Sequence, residues 1–279
     1  MPAIPSPLAR FYAHFPLVTV PSPHETTAAP AQPTIWAYGP PPAGHAESLD
    51  PLCRAAQAYA RFIGKADAQV RWMTWEEREA APGAALPAVH TPDGDLLVGE
   101  EVSGWFASQA HPGKGAKDDT ATSSDPTQQA YLSLVATTLL PAVLAALYLS
   151  PATVAPPVVP VRSRPLLSQV AQTYLTWNDR SRRIDEVKRL RGGKTGKDVV
   201  LDLEEVEREA EEAIEALETK VAEAKGEWIG GASSPTRLDA LTYSVLSVIR
   251  VLPPTCDAVL RPALERSPTL LDWVKRHDP

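Results

Sequence analysis

The chain has 279 residues, enough for two domains of ordinary size, and its 44% hydrophobic and 22% charged content is that of a globular protein. A net charge of −7 argues against nucleic acid as a partner. The two cysteines, Cys53 and Cys256, have no metal or redox spacing and fit a reducing compartment.

The first 33 residues hold eight prolines, too many for a regular domain, so this stretch reads as an arm. It contains Phe11, Tyr12, Phe15 and Leu17, and disordered tails are usually short of aromatics. Docking of these side chains onto a partner or onto the body of the protein is therefore preferred to a free extended tail. The start lacks the apolar run of a secretory signal and the arginines of a matrix-targeting presequence.

Thr34 to Tyr38 is a short apolar run expected to form a buried strand, stopped by Gly39-Pro40-Pro41-Pro42. Asp50 is positioned to cap a helix with Pro51 at its first turn. Leu52, Ala55, Ala56, Tyr59, Phe62 and Ile63 mark its inward face, and Gly64 ends it. Val70 and Trp72 alternate in a second strand, and strand-helix-strand at this spacing predicts a parallel unit. Trp75 to Ala81 suits one or two helical turns. Ala84 to His90 and Leu96 to Val98 flank the turn Thr91-Pro92-Asp93-Gly94 and form a hairpin. A helix follows Gly99, with Val102, Trp105 and Phe106 inward.

His111 to Pro126 is polar and Gly-containing and reads as a linker. Helical patterning resumes at Gln128. Tyr131 to Leu149 is apolar enough to approach a membrane span, but Pro141 and the neighbouring Ser and Thr favour a buried helix. A Pro-rich break over 152–165 precedes a helical face with Leu166, Val170 and Tyr174. Gly192-Gly193-Lys194-Thr195 lacks the first glycine of a phosphate loop and a strand before it, so a solvated loop is expected. Asp202 to Glu223 forms one amphipathic helix with an acidic face and a stripe of Leu203, Val206, Ala210, Ala213, Leu217, Val221 and Ala224.

Gly230 and Gly231 then break the chain before the most apolar helix. Thr236 and Asp239 have the spacing of a reciprocal cap, with Ser234-Pro235 as a competing start. Leu238, Leu241, Val245, Val248, Ile249 and Leu252 recur at helical steps, with no charge from Ala240 to Ile249. This helix is expected to run through the middle of a domain until Pro253-Pro254.

The order of elements to residue 110 resembles a thioredoxin-like domain, and the capped helix after Trp228-Ile229-Gly230-Gly231 resembles the central helix of glutathione-S-transferase-like proteins. The implied fold class is α+β. An arm (1–33) is followed by a thioredoxin-like domain (34–110), a linker (111–127) and an all-helical domain (128–279). The resemblance makes Pro87 the candidate cis-proline.

Three further stretches resemble the metaxin-like proteins of the fungal mitochondrial outer membrane. They are Phe15-Pro16-Leu17-Val18-Thr19-Val20-Pro21, Ser48-Leu49-Asp50-Pro51-Leu52-Cys53 and Pro82-Gly83-Ala84-Ala85-Leu86-Pro87. The closest likeness is to the smaller peripheral subunit of the sorting and assembly machinery, and the lack of an apolar segment after Trp273 favours it over the larger one. That resemblance implies a cytosol-facing, peripheral, non-enzymatic protein of the mitochondrial outer membrane. Its implied partners are the barrel-forming subunit, a second metaxin-like subunit and the C-terminal targeting strand of β-barrel precursors. No cofactor is expected.

Two other functions compete. A transferase would need a hydroxyl or thiol near the end of the first strand, where this chain has Tyr38 followed by three prolines. It would also need an acidic residue directly followed by Ser after the hairpin; here Glu100-Glu101-Val102 displaces the serine to Ser103. His14, His24, His45, His90, His111 and His277 form no triad or metal spacing. The third function is a scaffold that binds a basic partner through the acidic helix.

Overall fold

A computed structural model describes residues 29–41, 44–65, 67–73, 85–110, 125–149, 181, 184–192, 201–224, 226–229, 231, 233–252 and 259–279. The arm residues Phe11, Tyr12, Phe15 and Leu17 lie outside the described residues, as do the expected helical turns at Trp75 to Ala81 and the face around Val170.

Strands β1 (Thr34–Tyr38), β2 (Gln69–Met73), β3 (Ala88–His90) and β4 (Leu96–Val98) form one mixed sheet in the order β2-β1-β3-β4. β1 runs parallel to β2 and antiparallel to β3, and β3 is antiparallel to β4. Between β1 and β2 lies α1 (Pro51–Phe62), whose cap Asp50 accepts from the backbone N–H of Leu52 and Cys53. Helix α2 (Glu100–Ala110) buries Val102 and Phe106 against Tyr59, Val89 and Ile35.

The buried face of α1 is wider than its apolar spacing suggests. Ala56, Tyr59 and Ala60 pack with the sheet and α2, while Leu52, Ala55 and Phe62 pack with the helical half. Sandwiched in this way, α1 also buries Arg54 and Gln57.

Helix α3 (Pro126–Tyr148) starts two residues before the expected position, because Asp125 caps it and Pro126 suits the first turn. It contains Pro141. Ahead of it, Val135–Leu139 opens into a π turn in which the Leu140 N–H donates to the Val135 carbonyl five residues back. A wide turn there relieves the crowding of a proline ring against the preceding carbonyls. Among the described residues α3 is the helix long and apolar enough to cross a membrane, and half of its apolar stretch is buried within the protein.

Helix α4 (Leu203–Glu223), capped by Asp202, buries Val206, Ala210, Ala213, Ile214 and Leu217. Leu203, expected in the apolar stripe, is exposed at the helix start, and Ile214 instead joins the buried face. Helix α5 (Arg237–Val251) is buried from Leu238 to Ile249 and touches α1, α3, α6 (Leu260–Glu265) and α7 (Pro268–Arg276). It is the axis of the helical core and also packs against α1 of the thioredoxin-like half.

Candidate functional site

The end of β1 is where a thiol-activating group would sit, and it is closed. Tyr38 is only 4% exposed and packs with Ala37 and Cys53, flanked by Val70, Trp72 and Leu86. The next peptide bond, Gly39–Pro40, is cis, as is Leu86–Pro87 at the residue singled out for it. The Gly39 N–H donates to the Met73 carbonyl, and a Cβ built on Gly39 would meet Trp72 Cε3 at 2.2 Å. Trp72 therefore fills the space beside the strand end. Ser48 ties this end to α1: its hydroxyl donates to the Tyr38 carbonyl at 2.7 Å and accepts from the Asp50 N–H at 3.2 Å. The Ser48 N–H donates to the buried Gln57 side chain.

The acidic pair after the hairpin makes solvent-exposed contacts within this chain. Glu100 pairs with Arg237 at the start of α5, bridging the two halves. Glu101 accepts from the Val98 N–H. Ser103 donates to the Glu100 carbonyl, one turn back on its own helix. A recess of about 240 Å³ lies between the end of α4, Gly226–Ile229 and α7, and no residue of the strand end lines it. Among the described residues no three His, Cys, Asp or Glu side chains gather as metal ligands.

The polar groups that do converge sit at the junction of the two halves. The Glu47 carboxylate accepts from Arg54 Nε at 3.1 Å and from Arg61 Nε and Nη2 at 3.2 and 3.0 Å. Tyr243 of α5 donates its hydroxyl toward Glu47, with Asp278 equally near at 3.3 Å. Burial, with the Glu47 charge beside it, pushes the Tyr243 phenol well above its usual range, so it stays a donor. Arg61 also donates to the His277 carbonyl at 2.6 Å, and Arg250 pairs with Asp278. The His277 ring packs among Phe62, Trp228 and Trp273, its Nδ1 2.8 Å from the Trp273 carbonyl. Sequence reasoning missed this clasp. Arg54 and Arg61 are seven residues apart on a helix with apolar neighbours, which puts two cations on one buried face.

Thr236 and Asp239 form the capping box at the start of α5, so Ser234-Pro235 is not the start. Asp239 is fully buried. Its Oδ2 accepts from the Thr236 N–H at 2.8 Å and the Thr236 hydroxyl at 2.6 Å. Its Oδ1 accepts from the Ile229 N–H at 2.7 Å, a contact with the Trp-Ile-Gly-Gly turn that the cap spacing does not reveal. Burial holds the carboxyl above its ordinary 3.8, against the downward pull of these donors.

No family model and no curated protein matches the sequence. Among solved structures, a glutathione transferase from Phanerochaete chrysosporium is 12% identical, with 89% of this chain and 98% of that chain covered and a TM-score of 0.54. A glutathione S-transferase of Ceriporiopsis subvermispora in complex with glutathione gives the same four values. Another from that organism, also with glutathione, is 10% identical over 88% and 98% with a TM-score of 0.53. The fold is that of a glutathione transferase. At such identities the likeness concerns backbone architecture, and the chemistry has to be argued from the residues of this chain.

Proposed function

We propose that the chain is a non-enzymatic, cytosol-facing subunit of the sorting and assembly machinery of the mitochondrial outer membrane. In this reading it binds the barrel-forming subunit beside a second metaxin-like subunit and helps recognise and insert β-barrel precursors. The observation that supports it best is the closed strand end. A transferase needs its hydroxyl or thiol open to the sulfur it activates. Here Tyr38 is buried, Trp72 occupies the flank of Gly39, and Glu100 is turned to Arg237. What the fold retains is a two-part body clasped by buried charges, suited to presenting surfaces. The Phe15–Pro21, Ser48–Cys53 and Pro82–Pro87 resemblances supply the partner class.

The test is affinity purification of the tagged chain from detergent-solubilised fungal mitochondria, run beside a glutathione column and a glutathione-conjugation assay. Co-purification of the barrel-forming and second metaxin-like subunits, with no retention or turnover, is expected. Turnover of a generic electrophile that is abolished by Tyr38→Phe, with no membrane partner recovered, favours the transferase instead. Capture of soluble basic proteins through the acidic face of α4 favours the scaffold.

A further inference from the structure

The sheet has two edges, and they are not equivalent. At β4 the Val98 N–H donates to the Glu101 carboxylate at 3.4 Å, so one outward donor of that edge is taken by a charged side chain of the same chain. At β2 the ladder to β1 fixes which backbone groups are used. Gln69 donates to the Pro33 carbonyl at one end, and Gly39 donates to the Met73 carbonyl at the other, with Thr34 opposite Gln69 and Tyr38 opposite Met73. In a parallel ladder alternate residues face the partner strand. Gln69, Arg71 and Met73 therefore bond to β1, and Val70 and Trp72 turn their N–H and C=O groups to the outer edge. Among the described residues nothing hydrogen-bonds those four groups. At the middle of this edge Arg71 is exposed, its guanidinium 4.4 Å over the Trp36 ring and, among the described residues, on no carboxylate.

We infer that the outer edge of β2 receives an extended strand from a partner protein, with a carboxylate of that strand set against Arg71. Two outward donor–acceptor pairs two residues apart, roughly 6.6 Å along the strand, match an extended backbone and no helical one. The exposed guanidinium adds a charge preference to pairing that is otherwise blind to side chains. For the identity of the strand, the inference rests on the function proposed above: it is the C-terminal strand of a β-barrel precursor.

The experiment titrates the full chain with a synthetic peptide of the last strand of a mitochondrial β-barrel protein. Amide hydrogen exchange is followed residue by residue. Slowed exchange at Val70 and Trp72, with Leu96 unchanged, is expected; a scrambled peptide of the same composition should have no effect. Arg71→Glu should weaken binding by about tenfold, the size of one charge-assisted hydrogen bond. Val70→Pro removes an outward donor that the ladder to β1 does not use and should weaken binding similarly. If Val70→Pro fails to fold, Arg71→Glu decides alone, because its side chain is exposed. Protection mapping to β4 or the helical half, or undiminished binding by Arg71→Glu, overturns the inference. So does an edge-to-edge dimer of the chain that Val70→Pro dissolves. A chain that co-purifies with the barrel-forming subunit yet leaves β2 unprotected loses this inference alone. One that protects β2 yet recovers no such subunit keeps the edge and loses the proposed function.

Discussion

Replacing Asp239 with alanine removes the acceptor for three donors at once: the N–H of Ile229 and the N–H and hydroxyl of Thr236. Ile229 is 1% exposed, so its N–H is left without water, at a cost of about 1–3 kcal/mol. Loss of the cap at Thr236 adds about 0.5–2 kcal/mol. Relief of the carboxylate's own desolvation, visible in its raised pKa, offsets part of this. A net loss of about 3 kcal/mol lowers the melting temperature by roughly 6–12 °C for a chain of this size. Thr236→Ala deletes only the hydroxyl, leaves both backbone bonds to Asp239 in place, and should cost about 1 kcal/mol, or roughly 2–4 °C. The sequence alone suggests equal effects for the two changes; the Ile229 contact makes them unequal. The double variant should fall short of the sum, since the hydroxyl bond is lost in either single change. Differential scanning calorimetry of the wild type, both single variants and the double reads all four values. A Thr236→Ala protein that melts as low as Asp239→Ala would refute this ranking.

The same carboxyl sets a pH dependence. Its folded pKa is raised, so the folded state holds the proton more tightly, and the contribution is full below 3.8 and lost as pH rises through the folded value. The melting temperature of the wild type should therefore fall relative to that of Asp239→Asn over the window opening at pH 3.8, and a relative rise there contradicts the assignment. Arg54→Leu removes one partner of the buried Glu47 pair and should cost about 3 kcal/mol, read as a lower urea midpoint with unchanged slope. An unchanged midpoint would show that Arg61 alone suffices for Glu47. Gly39→Ala forces a Cβ onto Trp72 and should cost about 1–3 kcal/mol, recovered in part by Trp72→Leu; a stable single variant means that Trp72 can swing aside. Alkaline carbonate should release the chain from mitochondrial membranes, because α3 buries half of its apolar stretch within the protein. Retention in the pellet after removal of the barrel-forming subunit would make α3 a span.

Much of the fold is legible in the sequence because its signals are local. Asp50-Pro51 states a helix start, Thr236 and Asp239 state another, and the apolar run after them announces a buried helix through its lack of charge. The junction is not legible because its residues are distant in sequence: Glu47, Arg61, Tyr243 and Asp278 meet only when α1 packs on α5. Periodicity also misplaces residues where a helix has two partners. It assigns α1 one apolar face and overlooks Arg54 and Gln57, which are buried on the others. At the strand end, the three prolines and displaced Ser103 cast doubt on catalysis. The structure adds the Trp72 ring against Gly39, a contact that nothing in the sequence announces.

The most direct test uses fungal mitochondria depleted of the chain, in which insertion of a radiolabelled β-barrel precursor into the outer membrane is measured. Depleted membranes are resupplied either with the wild-type chain or with the Tyr38→Phe, Ser103→Ala variant. Depletion should slow insertion, and both chains should restore it equally. Insertion at the normal rate without the chain, or rescue by the wild type alone from equally folded proteins, would contradict the proposed function.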